Sequence, residues 1–136
     1  MSSSPSDSYP SEPSSFAEML GSETVDTGQG WARIRMPIRQ RHLQDRGNVQ
    51  GGIIMTVADQ ALTVALHTLL PSDQHTVTVE MKVNFIAPAR EGELIAEGRI
   101  THTGSTLAVG DATVTDGKGA LIAKGLGTWM MLRPRR

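Results

Sequence analysis

The sequence predicts an α+β domain in which an antiparallel sheet wraps one long central helix. An almost wholly apolar run with helical spacing occupies 52–69. Four runs of alternating apolar and polar residues follow it, separated by turns rather than by further helices. A helix that is apolar around most of its circumference has to be enclosed, and a sheet with one apolar face is a ready enclosure.

Bulk properties narrow the setting. The 136 residues, 38% hydrophobic and 20% charged, suit one globular domain with a modest core. A formal net charge of -1 and an aromatic content of 4% argue against a nucleic-acid partner. The absence of cysteine excludes disulfides, a thiolate nucleophile and Cys-ligated zinc, and is compatible with a cytoplasmic protein. Residues 1–15 are Ser-rich, carry Pro5, Pro10 and Pro13, and have neither a cationic start nor an apolar stretch. They are expected to be a disordered tail rather than a secretory signal, leaving 16–136 as the single domain. Asp59, Gln60 and His67 interrupt the most apolar window, so a buried helix is expected there and no membrane span.

Element by element, Phe16 to Leu20 is expected to make a short helical turn closed by Gly21. From Trp31 to Ile38, Ala32, Ile34 and Met36 alternate with Arg33 and Arg35, the period of a half-buried strand, with Pro37 marking an edge or strand end. Arg41 to Gly52 is rich in turn formers and is expected to be a loop. The helix that follows would span on the order of 27 Å at ~1.5 Å per residue. Its polar residues Thr56, Asp59, Gln60, Thr63 and His67 recur at three- and four-residue steps and form one narrow stripe. Pro71-Ser72-Asp73 ends it. Val77, Val79, Met81, Val83 and Phe85 then alternate with polar residues in a strand that is over by Pro88. Further strands are expected over Glu93–Thr103, Thr106–Thr115 and Ala120–Leu132, with Asp116-Gly117-Lys118-Gly119 as a hairpin turn. The expected order is one strand, the helix, then a four-stranded antiparallel meander. The uncovered helix line and the sheet edges would need a partner, so a homodimer is expected.

The chemistry concentrates at Asp59, because an acid inside an apolar helix is costly unless it has partners or a task. Gly51 and Gly52 open the helix, where unpaired amides and the helix dipole favour negative charge. His42, His67, His75 and His102 are scattered and lack carboxylates at ligand spacing, so no metal is expected. Phosphate-binding, nucleophile-elbow and dinucleotide motifs are absent.

Four stretches together, 47–59, 78–92, Gly104 to Leu107 and Leu121 to Gly125, resemble the PaaI-like (phenylacetate-degradation type) hotdog acyl-CoA thioesterases. The acid lies seven residues past the second glycine, as in that family, and the resemblance covers about two thirds of the chain, Arg41 to Trp129. It implies the hotdog fold and hydrolysis of an acyl-CoA to free acid and CoA. Asp59 would activate water or act as nucleophile, the Gly51 amide and the Gln44 side chain would bind the oxyanion, and Thr78 would hold the attacking water. Gln50 stands where the family more often has His and cannot titrate near neutrality. Gln50, Gly52, Thr63, Arg90 and the Gly104-Ser105-Thr106 turn would contact substrate. That turn lacks the Lys or Arg common in relatives, which leaves an acyl carrier protein open as an alternative to CoA. The resemblance further implies a homodimer, or a dimer of dimers, whose acid and oxyanion donors come from opposite subunits. No cofactor is expected, CoA entering only as part of the substrate. The other readings are a non-catalytic acyl- or aryl-CoA or acyl-carrier binding domain, and a dehydratase, for which the customary His-Asp pair is missing. Met55, Met81, Met130 and Met131 leave acyl specificity unset.

Overall fold

In the computed structural model, which describes residues 15–132, six antiparallel strands form one sheet that touches a single long helix along every strand. Residues 1–14 of the expected Ser/Pro-rich tail and the closing Arg133, Arg135 and Arg136 lie outside the described residues, while Ser15 begins the first helix. In chain order the elements are α1 (Ser15–Leu20), β1 (Glu23–Gly28), β2 (Trp31–Pro37), a 3-10 turn (Gln40–His42), α2 (Gly51–His67), β3 (His75–Phe85), β4 (Glu93–Thr103), β5 (Leu107–Asp116) and β6 (Leu121–Leu132). The hotdog architecture expected from the sequence is therefore present.

The apolar circumference of α2 explains its place. Ile54, Val57, Ala58, Ala61, Leu62, Ala65 and Leu66 are buried against the sheet, and Gln50 caps the helix one residue earlier than expected. β4 comes so close that a Cβ at Gly98 would sit 2.6 Å from the Ala61 carbonyl carbon, so this crossing requires glycine. Among the described residues no helix is long and apolar enough to cross a membrane.

Four details correct the sequence expectation. First, β1 was not anticipated. All six of its residues are exposed, so it carries no burial alternation for a periodicity argument to find. Second, the sheet order is β1-β2-β4-β5-β6-β3, so only β4, β5 and β6 form a meander. Alternation marks a strand without naming its neighbour. Here 86–92 cross from the β3 edge to the middle of the sheet, held by Ile86 N–H to Ile122 O (2.8 Å), Val49 N–H to Ala89 O (2.8 Å) and Ile38 N–H to Gly92 O (2.9 Å). Third, β2 lies between β1 and β4, so Pro37 marks a strand end and not an edge. Of the two glycines in the β5–β6 turn, Gly119 takes positive φ.

The fourth correction bears on the site. The alternation of β3 does not run unbroken from Val77 to Phe85, because a β-bulge at Val79 shifts the register against β6 between Thr78 and Glu80. Before the bulge, Thr76 and Thr78 face α2; after it, Met81 and Val83 do, packing on the core. Val77 and Val79 are left exposed, at 45% and 55%. One extra residue thus moves a hydroxyl rather than a valine against the helix.

Candidate active site

The edges of the sheet, β1 and β3, flank the polar stripe of α2. Hydrogen bonds tie the stripe to both sides. Ser22, just before β1, donates to Gln60 Oε1 at 2.8 Å; Thr78 of β3 donates to Asp59 Oδ1 at 3.0 Å; His67 Nε2 and Thr76 Oγ1 are 3.2 Å apart. Thr63, one turn along, also donates to Asp59 Oδ1, at 3.4 Å. Asp59 is accordingly half-buried in an open slot and not enclosed as the sequence suggested. Both hydroxyls are on Oδ1, and among the described residues Oδ2 accepts no hydrogen bond.

A cavity of about 660 Å³ opens beside Asp59, between α1, the start of β1 and α2. Phe16, Ala17, Ile34 and Val64 give it apolar walls, and Thr56, Gln60 and Thr63 line its helix side. Ser22, Gln60 and the α1 wall were not singled out as site residues from sequence. Gln60 was visible only as a member of the stripe, and Ser22 has no distinguishing pattern.

Gln44 and Gly51 lie elsewhere. Together with Asn48, Ile54 and Phe85 they line a second pocket, of about 350 Å³, at the amino end of α2. Phe85 lies over Gly51, whose hypothetical Cβ would be 3.3 Å from the ring. The first-turn amides of Gly51 and Gly52 have no backbone acceptor among the described residues, as helix geometry dictates. The eight steps from Gly51 to Asp59 amount to ~12 Å along the helix, so one chain does not bring the acid and the donors together. Gln50 is exposed and caps α2 through its backbone, and Gly52 faces open space. Arg90 Nε donates to Asn48 Oδ1 at 2.8 Å, which places it beside the second pocket. The Gly104-Ser105-Thr106 turn closes β4 onto β5 through Gly104 N–H to Leu107 O (2.7 Å) and receives Met131 N–H at Thr106 O (2.8 Å). The expected site residues therefore fall into three groups: Asp59, Thr63 and Thr78; Gln44, Gln50, Gly51, Gly52 and Arg90; and the β4–β5 turn, which lines neither pocket.

Residues 46–123, more than half of the chain and the part that carries α2 and its acid, match a known family model, that of the thioesterase superfamily. The chain belongs to the thioesterase superfamily. A solved thioesterase family protein from Silicibacter pomeroyi is 30% identical, with a TM-score of 0.83 over 93% of this chain and 94% of that one. The phenylacetic acid degradation protein PaaI of Thermus thermophilus, solved as a mutant, is 25% identical, with a TM-score of 0.78 over 86% of this chain and 98% of that one. Acyl-coenzyme A thioesterase 13 of Pongo abelii is 29% identical over 113 residues, 81% of this chain and 80% of the relative. The PaaI-like resemblance read from the sequence is thus borne out, and this thioesterase is a thioester hydrolase by family.

Proposed function

We propose that the protein hydrolyses acyl-CoA thioesters at sites completed across a two-fold homodimer. The observation that carries this reading is the state of Asp59, a residue that lines a cavity: Thr63 and Thr78 hold one carboxylate oxygen, while the other accepts from no donor among the described residues. A carboxylate fixed in this way has one oxygen positioned and one available to take a proton.

The ~12 Å between Asp59 and Gly51 supports the dimer. If two copies of α2 lie antiparallel about a two-fold axis near Met55, Asp59 of one subunit faces Gly51 of the partner subunit. The exposed apolar residues of edge strand β3, Val77, Val79 and Phe85, supply surface for such pairing. In the reaction, Asp59 removes a proton from water as its oxygen bonds to the thioester carbon. The oxyanion forms against the backbone amide of the partner subunit's Gly51 and the side-chain amide of the partner subunit's Gln44. Collapse breaks the carbon–sulfur bond, the CoA sulfur leaves with the proton held by Asp59, and the free acid remains. No cofactor takes part.

Free-thiol release from short, medium, long and aromatic acyl-CoAs tests the activity, and mixed dimers test the geometry. Asp59→Asn and Gln44→Ala subunits, each nearly inactive alone, regain activity when exchanged, because each mixed dimer has one intact site. Acyl-CoA binding with no thiol release overturns the catalytic reading, and failure of mixing to restore turnover overturns the shared site.

A further inference from the structure

His42 is 1% exposed, the only buried polar or charged residue among those described, and the mechanism above does not use it. Its ring is fully engaged. Nδ1 accepts the Arg39 N–H at 2.8 Å, and Nε2 lies 2.7 Å from the Leu20 carbonyl oxygen. A backbone N–H can only donate and a carbonyl can only accept, so the ring proton resides on Nε2. The main chain of the same residue is engaged as well. His42 N–H donates to Arg39 O (2.9 Å), and His42 O accepts from Gln50 N–H (3.0 Å).

One residue therefore joins three segments: the end of α1 at Leu20, the 3-10 turn, and the cap of α2 at Gln50. Gln44 sits two residues beyond it in a small hairpin closed by Gln44 N–H to Asn48 O (2.8 Å) and a Leu43–Val49 bridge. Gly51 follows Gln50 directly. We infer that His42 is a positioning residue, a buried imidazole that sets the orientation of the Gln44 amide and the Gly51 N–H by clamping their loop to α1. The inference rests on the assignment of those two groups as oxyanion donors, and it explains how an otherwise polar, exposed loop holds a donor in place. A displacement of about 1 Å at such a donor is enough to cost on the order of 10²-fold in rate.

Two partial replacements separate the ring contacts. His42→Asn keeps an acceptor near the Arg39 amide and loses the tie to Leu20, whereas His42→Gln keeps a donor for Leu20 and loses the Arg39 acceptor. Each is expected to lower kcat about tenfold or more while KM stays within about threefold. Amide exchange should rise over 43–51 and remain unchanged in β4 and β5. In a Gln44→Ala background most of the kcat loss disappears, since much of what His42 positions is already gone. Wild-type kcat in either folded variant, or full additivity with Gln44→Ala, overturns the inference. If the wild type itself releases no thiol from any acyl-CoA, the functional reading falls and exchange decides the clamp alone: unchanged protection over 43–51 overturns it.

Discussion

Where α2 meets β4 and β5, contact is nearly backbone on backbone: Gly98 lies under the Ala61 carbonyl, and Gly110 leaves room for Leu62, whose Cδ2 would be 2.9 Å from an added Cβ. Where α2 faces β1 and the first half of β3, side-chain hydrogen bonds join them, pairing Ser22 with Gln60, Thr76 with His67 and Thr78 with Asp59. The first side has no room for adjustment, and the second is half-open and polar. The acid is thus carried on a body fixed from behind, while its own surroundings stay accessible to substrate. Substitutions on the packed side should cost stability, and those on the slot side should cost turnover.

Asp59→Asn should give the largest effect. Turnover falls by about 10²–10⁴-fold, the range of a lost general base, while the unfolding midpoint in urea hardly moves. A large stability loss would place Asp59 on the structural side of the comparison. Gly98→Ala should do the opposite. The added methyl meets backbone that cannot move aside, so stability drops by about 3 kcal/mol, and the Tm by on the order of 10 °C, while kcat per folded molecule is retained at low temperature. Thr78→Val comes next, with kcat lowered roughly tenfold, because one of the two hydroxyls holding Oδ1 is removed. Equal losses for Thr78→Val and Asp59→Asn would mean that Thr78 does more than orient the acid.

The smallest effect lies at the β5–β6 turn, remote from either side. The amides of Ala120 and Lys118 donate to Asp116 and hold its carboxyl below the usual aspartate range. A depressed folded value stabilises the fold above the ordinary range, and the contribution is lost as the pH falls through the lowered value. The small margin of wild type over Asp116→Asn should therefore be full at neutral pH and close in strong acid. Denaturant titrations at both extremes check it, and a margin that widened in acid would contradict the assignment.

What could be read from sequence followed burial. β2, β4, β5 and β6 each put apolar residues on one face, and α2 is apolar nearly all round, so periodicity located them. β1 buries nothing and left no such trace. The neighbour of β3 was hidden because strand pairing is decided by the path of 86–92 around the helix end rather than by the strand's own pattern. At the site, Asp59, Thr63 and Thr78 were all named, and they do meet. Yet an unbroken alternation of β3 would have turned Thr78 away, and only the bulge reconciles the two readings. The tie from Ser22 and the clamp at His42 join residues 38 and 22 positions apart, to Gln60 and Leu20 respectively, and no local pattern announces such long-range polar contacts.

That single surplus residue in β3 also offers an engineering handle. Thr78 and Glu80 lie opposite Trp129 and Thr128, which are consecutive, so excising Val79 would let the strand run straight while Thr76 and Thr78 keep facing α2 in step with Met81 and Val83. The edit leaves the acid its closest donor and removes only an apolar residue from the exposed sheet edge. Any programme that straightens this strand to harden the scaffold against heat should therefore watch subunit assembly rather than the carboxylate.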